Sequence, residues 1–253
     1  MKVAVITPYF NEPQPWIERC VASVRAQTHP CTHFMVSDGQ PLDVLDDAGV
    51  RHVRLGRGHA DFGNTPRAIG GQLAVAEGFD AVCFLDADNW YAADHVATCV
   101  ATADSSYADF VVARRRLVRE DGSVIPLRSS DDADGSHVDT NCFFLLFGAF
   151  HTLPRWALAP RPMASLFDRF YLQSLRTEGL HEAHTGRETV DYLCTWASVF
   201  RAVGETPPGY AKENISSERL LQWAQRLQPG DFERVHRLTG CRLDEMLNVR
   251  AAA

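Results

Sequence analysis

Residues 2–25, KVAVITPYFNEPQPWIERCVASVR, decide the fold. Lys2 to Thr7 is a short β-branched run ended by Pro8 and Asn11, which reads as a buried strand. Trp16, Ile17, Cys20, Val21 and Val24 then recur at helical spacing on one face. The same alternation continues outward. His33 to Ser37, ended by Asp38-Gly39, and Val50 to Leu55 read as further strands. A loop with Gly56, Gly58 and Gly63 follows. Thr65-Pro66 then reads as N-cap and first residue of a helix striped by Ile69, Leu73 and Ala76 and ended by Gly78. Ala81 to Leu85 is a fourth strand, and Tyr91, Val96, Cys99 and Val100 stripe the next helix. Strands alternating with helices predict an α/β fold, with a mostly parallel central sheet flanked by helices on both faces. Ligands in such sheets bind beyond the carboxyl ends of the strands. That directs attention to Pro8 to Glu12, Asp38-Gly39, Leu55 to Arg67 and Asp86 to Asn89.

The second half is less regular. Phe110 to Val118 reads as a strand with a hairpin turn at Asp121-Gly122, and Leu166 to Leu175 as a helix after the Pro160 and Pro162 breaks. Ser129 to His137 (SSDDADGSH) reads as a polar surface loop, suited to act as a lid. Pro207-Pro208-Gly209 is the clearest boundary. It suggests a domain over 1–210, with halves at about 1–105 and 106–210, and a short helical C-terminal extension over 211–253. With 253 residues the chain needs no disulfide or structural metal to build a core. The seven cysteines are scattered and form no Cys-x-x-Cys, so reduced thiols are expected. A formal charge of −7 argues against a nucleic-acid or anionic-lipid partner, apart from the local run Arg114-Arg115-Arg116. The apolar stretch at the N-terminus is too short for a signal peptide, and Cys142 to Phe150 is too short for a membrane span. A soluble, cytoplasmic chain is the expectation.

Asp86-Ala87-Asp88 means little as a motif. Among 20 aspartates about one or two Asp-x-Asp triplets arise by chance, and Asp132-Ala133-Asp134 is a second one. Its position carries the information. Asp86 directly follows an apolar strand, where two carboxylates facing a crevice suit a hard divalent cation that bridges phosphate oxygens. The alternative is a solvated turn, with Asp88 or Asn89 capping a helix that follows. Tyr9 or Phe10 suits stacking on a base and Glu12 a ribose hydroxyl; the plainer alternatives are core packing and helix capping. Asp38 is either a base contact or a turn residue. Arg67, at a helix start, suits a base or a diphosphate. Asp168 is either a salt-bridge partner of Arg169 or a functional carboxylate in a cleft. His181 and His184 are candidate metal ligands set against structural roles.

Taken in order, VAVITPYFNEP, SDG at 37–39, NTPRAIG at 64–70, FLDADNWY at 84–91, DRFYLQSL at 168–175 and TGRETVDYLCTW at 185–196 resemble the family 2 glycosyltransferases of GT-A fold, over residues 1 to about 210. The resemblance implies a nucleotide-binding pocket from Thr7, Pro8, Tyr9, Glu12, Asp38, Asn64, Arg67, Asp86 and Ala87. It implies a metal (Mn²⁺ or Mg²⁺) on Asp88, for which His184 is the candidate further ligand, and Asp168 as catalytic base, Asp139 being held in reserve. The implied activity is metal-dependent inverting transfer from a nucleotide-sugar donor, UDP-linked by family habit, to a hydroxyl-bearing acceptor: a glycan, lipid-linked sugar, protein or small molecule. Ser37 stands where the family usually has a first acid before Asp38, and Phe167 where an acid usually precedes the base. The Gln-x-x-Arg-Trp motif of processive synthases is absent. A nucleotidyltransferase is disfavoured because Pro8-Tyr9-Phe10 replaces a Gly-rich phosphate loop. A non-catalytic nucleotide-sugar-binding scaffold is disfavoured because the carboxylates are present. The extension after 210 is left open between covering the acceptor side and forming a homodimer contact.

Overall fold

The computed structural model describes residues 1–127, 135 and 137–248. Most of the Ser129–His137 loop, including Asp132-Ala133-Asp134, lies outside the described residues, so its expected role as a lid is not addressed by the structure.

An eight-stranded sheet runs in the order β3-β2-β1-β4-β7-β6-β8-β5. β1 (Val3–Tyr9) is buried along its whole length, because it pairs in parallel on both edges, with β2 (Cys31–Ser37) and with β4 (Ala81–Phe84). β3 (Arg51–Arg54) continues the parallel half. α1 (Gln14–Arg25) covers this half with Ile17, Cys20, Val21 and Val24, the face read from the sequence apart from the half-buried Trp16. α2 (Asn64–Ala76) lies against β1, β2 and β4. Its approach depends on Gly70, where a Cβ would sit 2.6 Å from Ile6 and 2.8 Å from Val36.

Beyond β4 the sheet departs from the parallel expectation. β7 (Phe143–Leu146) is antiparallel to both β4 and β6 (Phe110–Val118). β6 returns to parallel pairing with β8 (Glu182–Leu193), and β5 (Trp90–Tyr91) is antiparallel to β8. The sheet is therefore mixed. Insertion of β7 needs only a short buried run, whereas another parallel strand would need a crossover helix.

Two local readings are corrected. Asp88 and Asn89 cap no helix: the short strand β5, which includes Tyr91, follows them, and α3 (His95–Ser106) begins only after it. α2 starts at Asn64 with Gly63 in the left-handed region at φ 77°. Thr65 is inside the first turn, where Asp61 Oδ2 accepts its N–H at 2.9 Å.

The second half adds α4 (Arg155–Leu158), α5 (Phe167–Thr177) and α6 (Ala197–Ala202). α7 (Glu218–Ala224), α8 (Pro229–Thr239) and α9 (Leu243–Leu247) follow Pro207-Pro208-Gly209. Their buried Leu220, Ala224, Phe232, Val235 and Leu243 join the same apolar core as the sheet. None of the seven cysteines is in a disulfide. Among the described residues no helix is long and apolar enough to cross a membrane.

Two histidines are buried in this framework. His33 meets the Thr7 hydroxyl at 2.8 Å, and His95 meets the Thr189 hydroxyl at 2.8 Å while stacking on Tyr91. Burial pushes both down to about 3 from an ordinary 6.5. The unfolded chain therefore binds more protons than the folded one between these values, and stability is lost as pH falls through that window. At pH 5 each histidine is expected to cost on the order of 2 kcal/mol relative to neutral pH. Thermal melts of wild type, His33→Gln and His95→Gln at pH 7.5 and 5.0 check this. Each variant should lose less stability between the two than wild type does, and equal losses would remove these histidines as the cause.

Candidate active site

The carboxyl ends of β1, β2 and β4 open into one cavity of about 930 Å³. It gathers Pro8, Tyr9, Glu12, Asp38, Asn64, Arg67, Asp86, Ala87, Asp88, Asp139 and Asp168 from the residues singled out by sequence. The parallel register explains the convergence. Tyr9 pairs with Ser37, and Ile6 with Phe84, so the turns that follow each strand emerge side by side.

A continuous chain of polar contacts forms the floor. Arg67 is 2% exposed and donates to Asp86 Oδ1 at 2.6 Å and to Asn64 at 3.1 Å. Its guanidinium lies 4.9 Å from the Trp156 ring centre. The other Asp86 oxygen accepts from the Asn141 amide at 3.1 Å, while Asn141 Oδ1 accepts the Asp86 N–H at 2.5 Å. Asn141 also donates to Asp139 at 2.6 Å, and Asp139 in turn pairs with Arg115 at 2.5 Å. Arg115 rests over Tyr192, 4.6 Å from the ring centre. The run Arg114-Arg115-Arg116 is thus divided rather than a patch, with Arg115 turned to the cavity, Arg116 paired to Asp191 and Arg114 exposed.

Asp86 and Asp88 differ sharply. Both Asp86 oxygens are engaged, and its carboxyl is raised by burial against the pull of Arg67. Asp88 is pushed up to about 7, first by burial and then by the charges of Asp86 and Glu12, with Lys212 pulling the other way. A carboxylate held back by its like-charged neighbours is a good donor for a cation. Among the described residues, however, no three His, Cys, Asp or Glu side chains cluster in a way that would hold a metal ion. The donor set fits a cation held by Asp88 together with phosphate oxygens, as magnesium-type sites commonly are. It does not fit a cage built from protein alone.

Two expectations are corrected by position, and a third is narrowed. His184 is outside the cavity, half exposed on β8, with Nε2 2.9 Å from Glu182; the structure does not bring it to Asp88. Thr7 is fully buried and turned toward His33 and Cys20, because strand alternation sends it away from the cavity. The Tyr9 ring is core, and its hydroxyl meets His52 at 2.6 Å and the Leu42 N–H at 3.0 Å. The neighbouring Phe10, 46% exposed, lines the cavity.

Asp38 is buried and accepts from the His59 N–H, with His59 Nδ1 2.6 Å from its carboxylate. That contact folds the 56–63 loop over the end of β2. Gly39, at φ 87°, permits the approach, since a Cβ there would lie 2.3 Å from Gly58 N. Asp168 occupies the first turn of α5. Its Oδ1 accepts the Arg169 N–H at 2.8 Å, and its Oδ2 lies 2.8 Å from His137 Nε2. Asp139 has less freedom, because both its oxygens are held by Asn141 and Arg115. Sequence reasoning assigned no role to Arg115, His59, His137, Trp196 or Lys212. Arg115, His59, His137 and Trp196 lie in stretches the sequence singled out, but their place at or beside the cavity comes only from tertiary packing, as it does for Lys212.

The sequence model of glycosyl transferase family 2 matches residues 4–176. No curated protein matches this sequence. Among solved structures, S. aureus TarS 1–349 in complex with UDP is similar at 16% identity and a TM-score of 0.61, over 98% of this chain and 86% of that one. TarS 1–349 in complex with UDP-GlcNAc gives 14% and 0.57, over 100% of this chain and 68% of that one. GalNAc-T7 with UDP, GalNAc and Mn²⁺ gives 14% and 0.61, and there the similarity covers 99% of this chain but 55% of that one. At these identities the likeness is one of fold, the GT-A type.

The floor makes a testable demand. Asn141→Ala would strip a buried acceptor from the Asp86 N–H and donors from two carboxylates. An unsatisfied buried group costs about 1–3 kcal/mol, so a loss of about 2–4 kcal/mol is expected in urea unfolding. A loss under about 0.5 kcal/mol would mean that the chain of contacts does not hold the floor.

Proposed function

The chain belongs to glycosyl transferase family 2, and on that premise we propose that it transfers a sugar from a nucleoside-diphosphate donor, with UDP as the nucleotide, to a hydroxyl-bearing acceptor, using a divalent cation and inverting the anomeric carbon. The observation that carries this reading is the single cavity that joins the Asp86-Ala87-Asp88 end of β4 to Asp168 on α5. The choice of UDP and Mn²⁺ is supported by the ligands of TarS and GalNAc-T7, whose fold this chain shares.

In this reading Phe10 offers a face to the base, Asp38 a carboxylate edge, and Glu12 an acceptor for ribose hydroxyls. Arg67 holds Asp86 rigid at the donor end. Asp88 would hold the cation jointly with the diphosphate, and when bound the cation supplies Lewis-acid stabilisation of the charge on the leaving group. Asp168 takes the proton from the acceptor hydroxyl. The acceptor oxygen bonds to the anomeric carbon as the bond from that carbon to the diphosphate oxygen breaks, and the bonding electrons leave with the nucleoside diphosphate. One displacement inverts the centre and needs no covalent glycosyl-enzyme. Asp168 is preferred to Asp139 as base because its contacts are one helix-turn N–H and one histidine. Asp139 is tied to an arginine and an amide that a base would have to give up.

Thermal shift with UDP, GDP, dTDP and CDP, each with and without Mn²⁺, tests the donor half. A ligand at about 100 times its Kd adds roughly 2.7 kcal/mol. The expected result is a metal-dependent rise with UDP that is lost in Asp88→Ala; a wild type that responds to none of the four would overturn the reading. Release of UDP from UDP-GlcNAc tests the base. Asp168→Asn should slow it by about 10²–10⁴-fold with UDP affinity within about twofold of wild type, and near-full activity would exclude Asp168.

A further inference from the structure

Among the described residues, four cationic side chains other than histidine line the cavity: Arg67, Arg115, Arg169 and Lys212. Arg67 is committed to Asp86 and Arg115 to Asp139, and Arg169 is also partnered. Among the described residues no hydrogen bond or ion pair engages the Lys212 ammonium, although the backbone that carries it is pinned. The Lys212 N–H donates to the Thr195 carbonyl at 2.6 Å, and its carbonyl accepts the Ala197 N–H at 2.8 Å. On the same strap Asn214 accepts from Ser198 at 2.7 Å, and Glu213 pairs with Arg201. The strap is therefore held at residue after residue, while one exposed ammonium is left to reach into a cavity rich in carboxylates. Lys212 and Asp88 line the same cavity.

We propose that Lys212 grips the diphosphate of the donor, so that the strap after Pro207-Pro208-Gly209 completes the leaving-group end of the site. The inference rests on the nucleotide-sugar reading above. It goes beyond the family match, which ends at residue 176. A lysine suits this place because its ammonium is a compact charge on a flexible stem, able to follow phosphate oxygens without fixed geometry. A diphosphate entering beside Asp86, Asp88 and Glu12 meets like charge, and a cation with no partner among the described residues gives up none of their contacts when it turns to the ligand. The specificity would be for phosphate rather than base or sugar. Loss of Lys212 should therefore be felt by UDP and not by uridine.

Titration calorimetry of the full chain with UDP and with uridine, in wild type, Lys212→Met and Lys212→Arg, tests this. Lys212→Met should weaken UDP by about ten- to hundred-fold and leave uridine within about twofold of wild type. Lys212→Arg should recover most of the UDP affinity. An unchanged melting temperature without ligand would show that the exposed substitution leaves the fold intact. UDP affinity unchanged in Lys212→Met, or UDP and uridine falling together, would overturn the role of Lys212 while leaving the donor reading in place. A wild type that binds no UDP, with or without Mn²⁺, would overturn the UDP reading and this inference with it.

Discussion

The contact between Arg67 and Asp86 is the one on which the rest of the site depends. It joins α2 to the end of β4, and through Asn141 it continues to Asp139 and to Arg115 on β6. The two halves of the sheet, parallel before β4 and mixed after it, are thereby tied across the floor of the cavity by alternating cations, carboxylates and one amide. Buried ion pairs contribute little net stability when they are intact and cost several kcal/mol when one partner is removed. Such a chain therefore acts less as glue than as a constraint on position. It holds Asp86 with both oxygens spent, which leaves Asp88 as the carboxylate available to a ligand.

That division was not visible in the triplet Asp86-Ala87-Asp88 itself. Position at a strand end separated it from the chance triplet at 132–134, and parallel topology then gathered most of the expected residues into one cavity. β1, β2, β4, α1 and β6 were legible because their apolar periods are strong and their ends carry proline, glycine or aspartate. The misreadings have specific physical causes. Thr7 alternates to the far face of β1, a consequence of strand register that a motif does not encode. Tyr9 and Phe10 are adjacent aromatics, and only the tertiary contact of Tyr9 with His52 and the Leu42 amide decides which is core. His184 lies where β8 runs at the sheet's far side beside Glu182, so its nearness in sequence to the family motif has no counterpart in space.

Asp168 and Asp139 show how environment, rather than residue type, sorts carboxylates. Both line the cavity and both were candidates for the same role. Asp139 spends its oxygens on Asn141 and Arg115, and its removal would break both contacts. Asp168 sits at a helix start with its second oxygen against an imidazole, which can release it. A carboxylate that must accept a proton during a reaction is better placed where its bonds are few and exchangeable, and that favours α5 over the floor.

The charge balance of the cavity connects these points to the C-terminal strap. Burial raises Asp88 to about 7, and the converging charges of Asp86 and Glu12 add to the shift. A polyanionic ligand entering that field needs counter-charge that is not already spent. Arg67 and Arg115 cannot provide it without breaking the floor, because each holds a buried carboxylate. Counter-charge must therefore arrive with the ligand, as a metal cation would, or come from a segment that the floor does not use. The strap at 211–215 is such a segment: its backbone is fastened beside α6, and the only cation it presents to the cavity is Lys212. Keeping the cations that build the site separate from one that meets the ligand lets the pocket release a diphosphate without loosening its own framework.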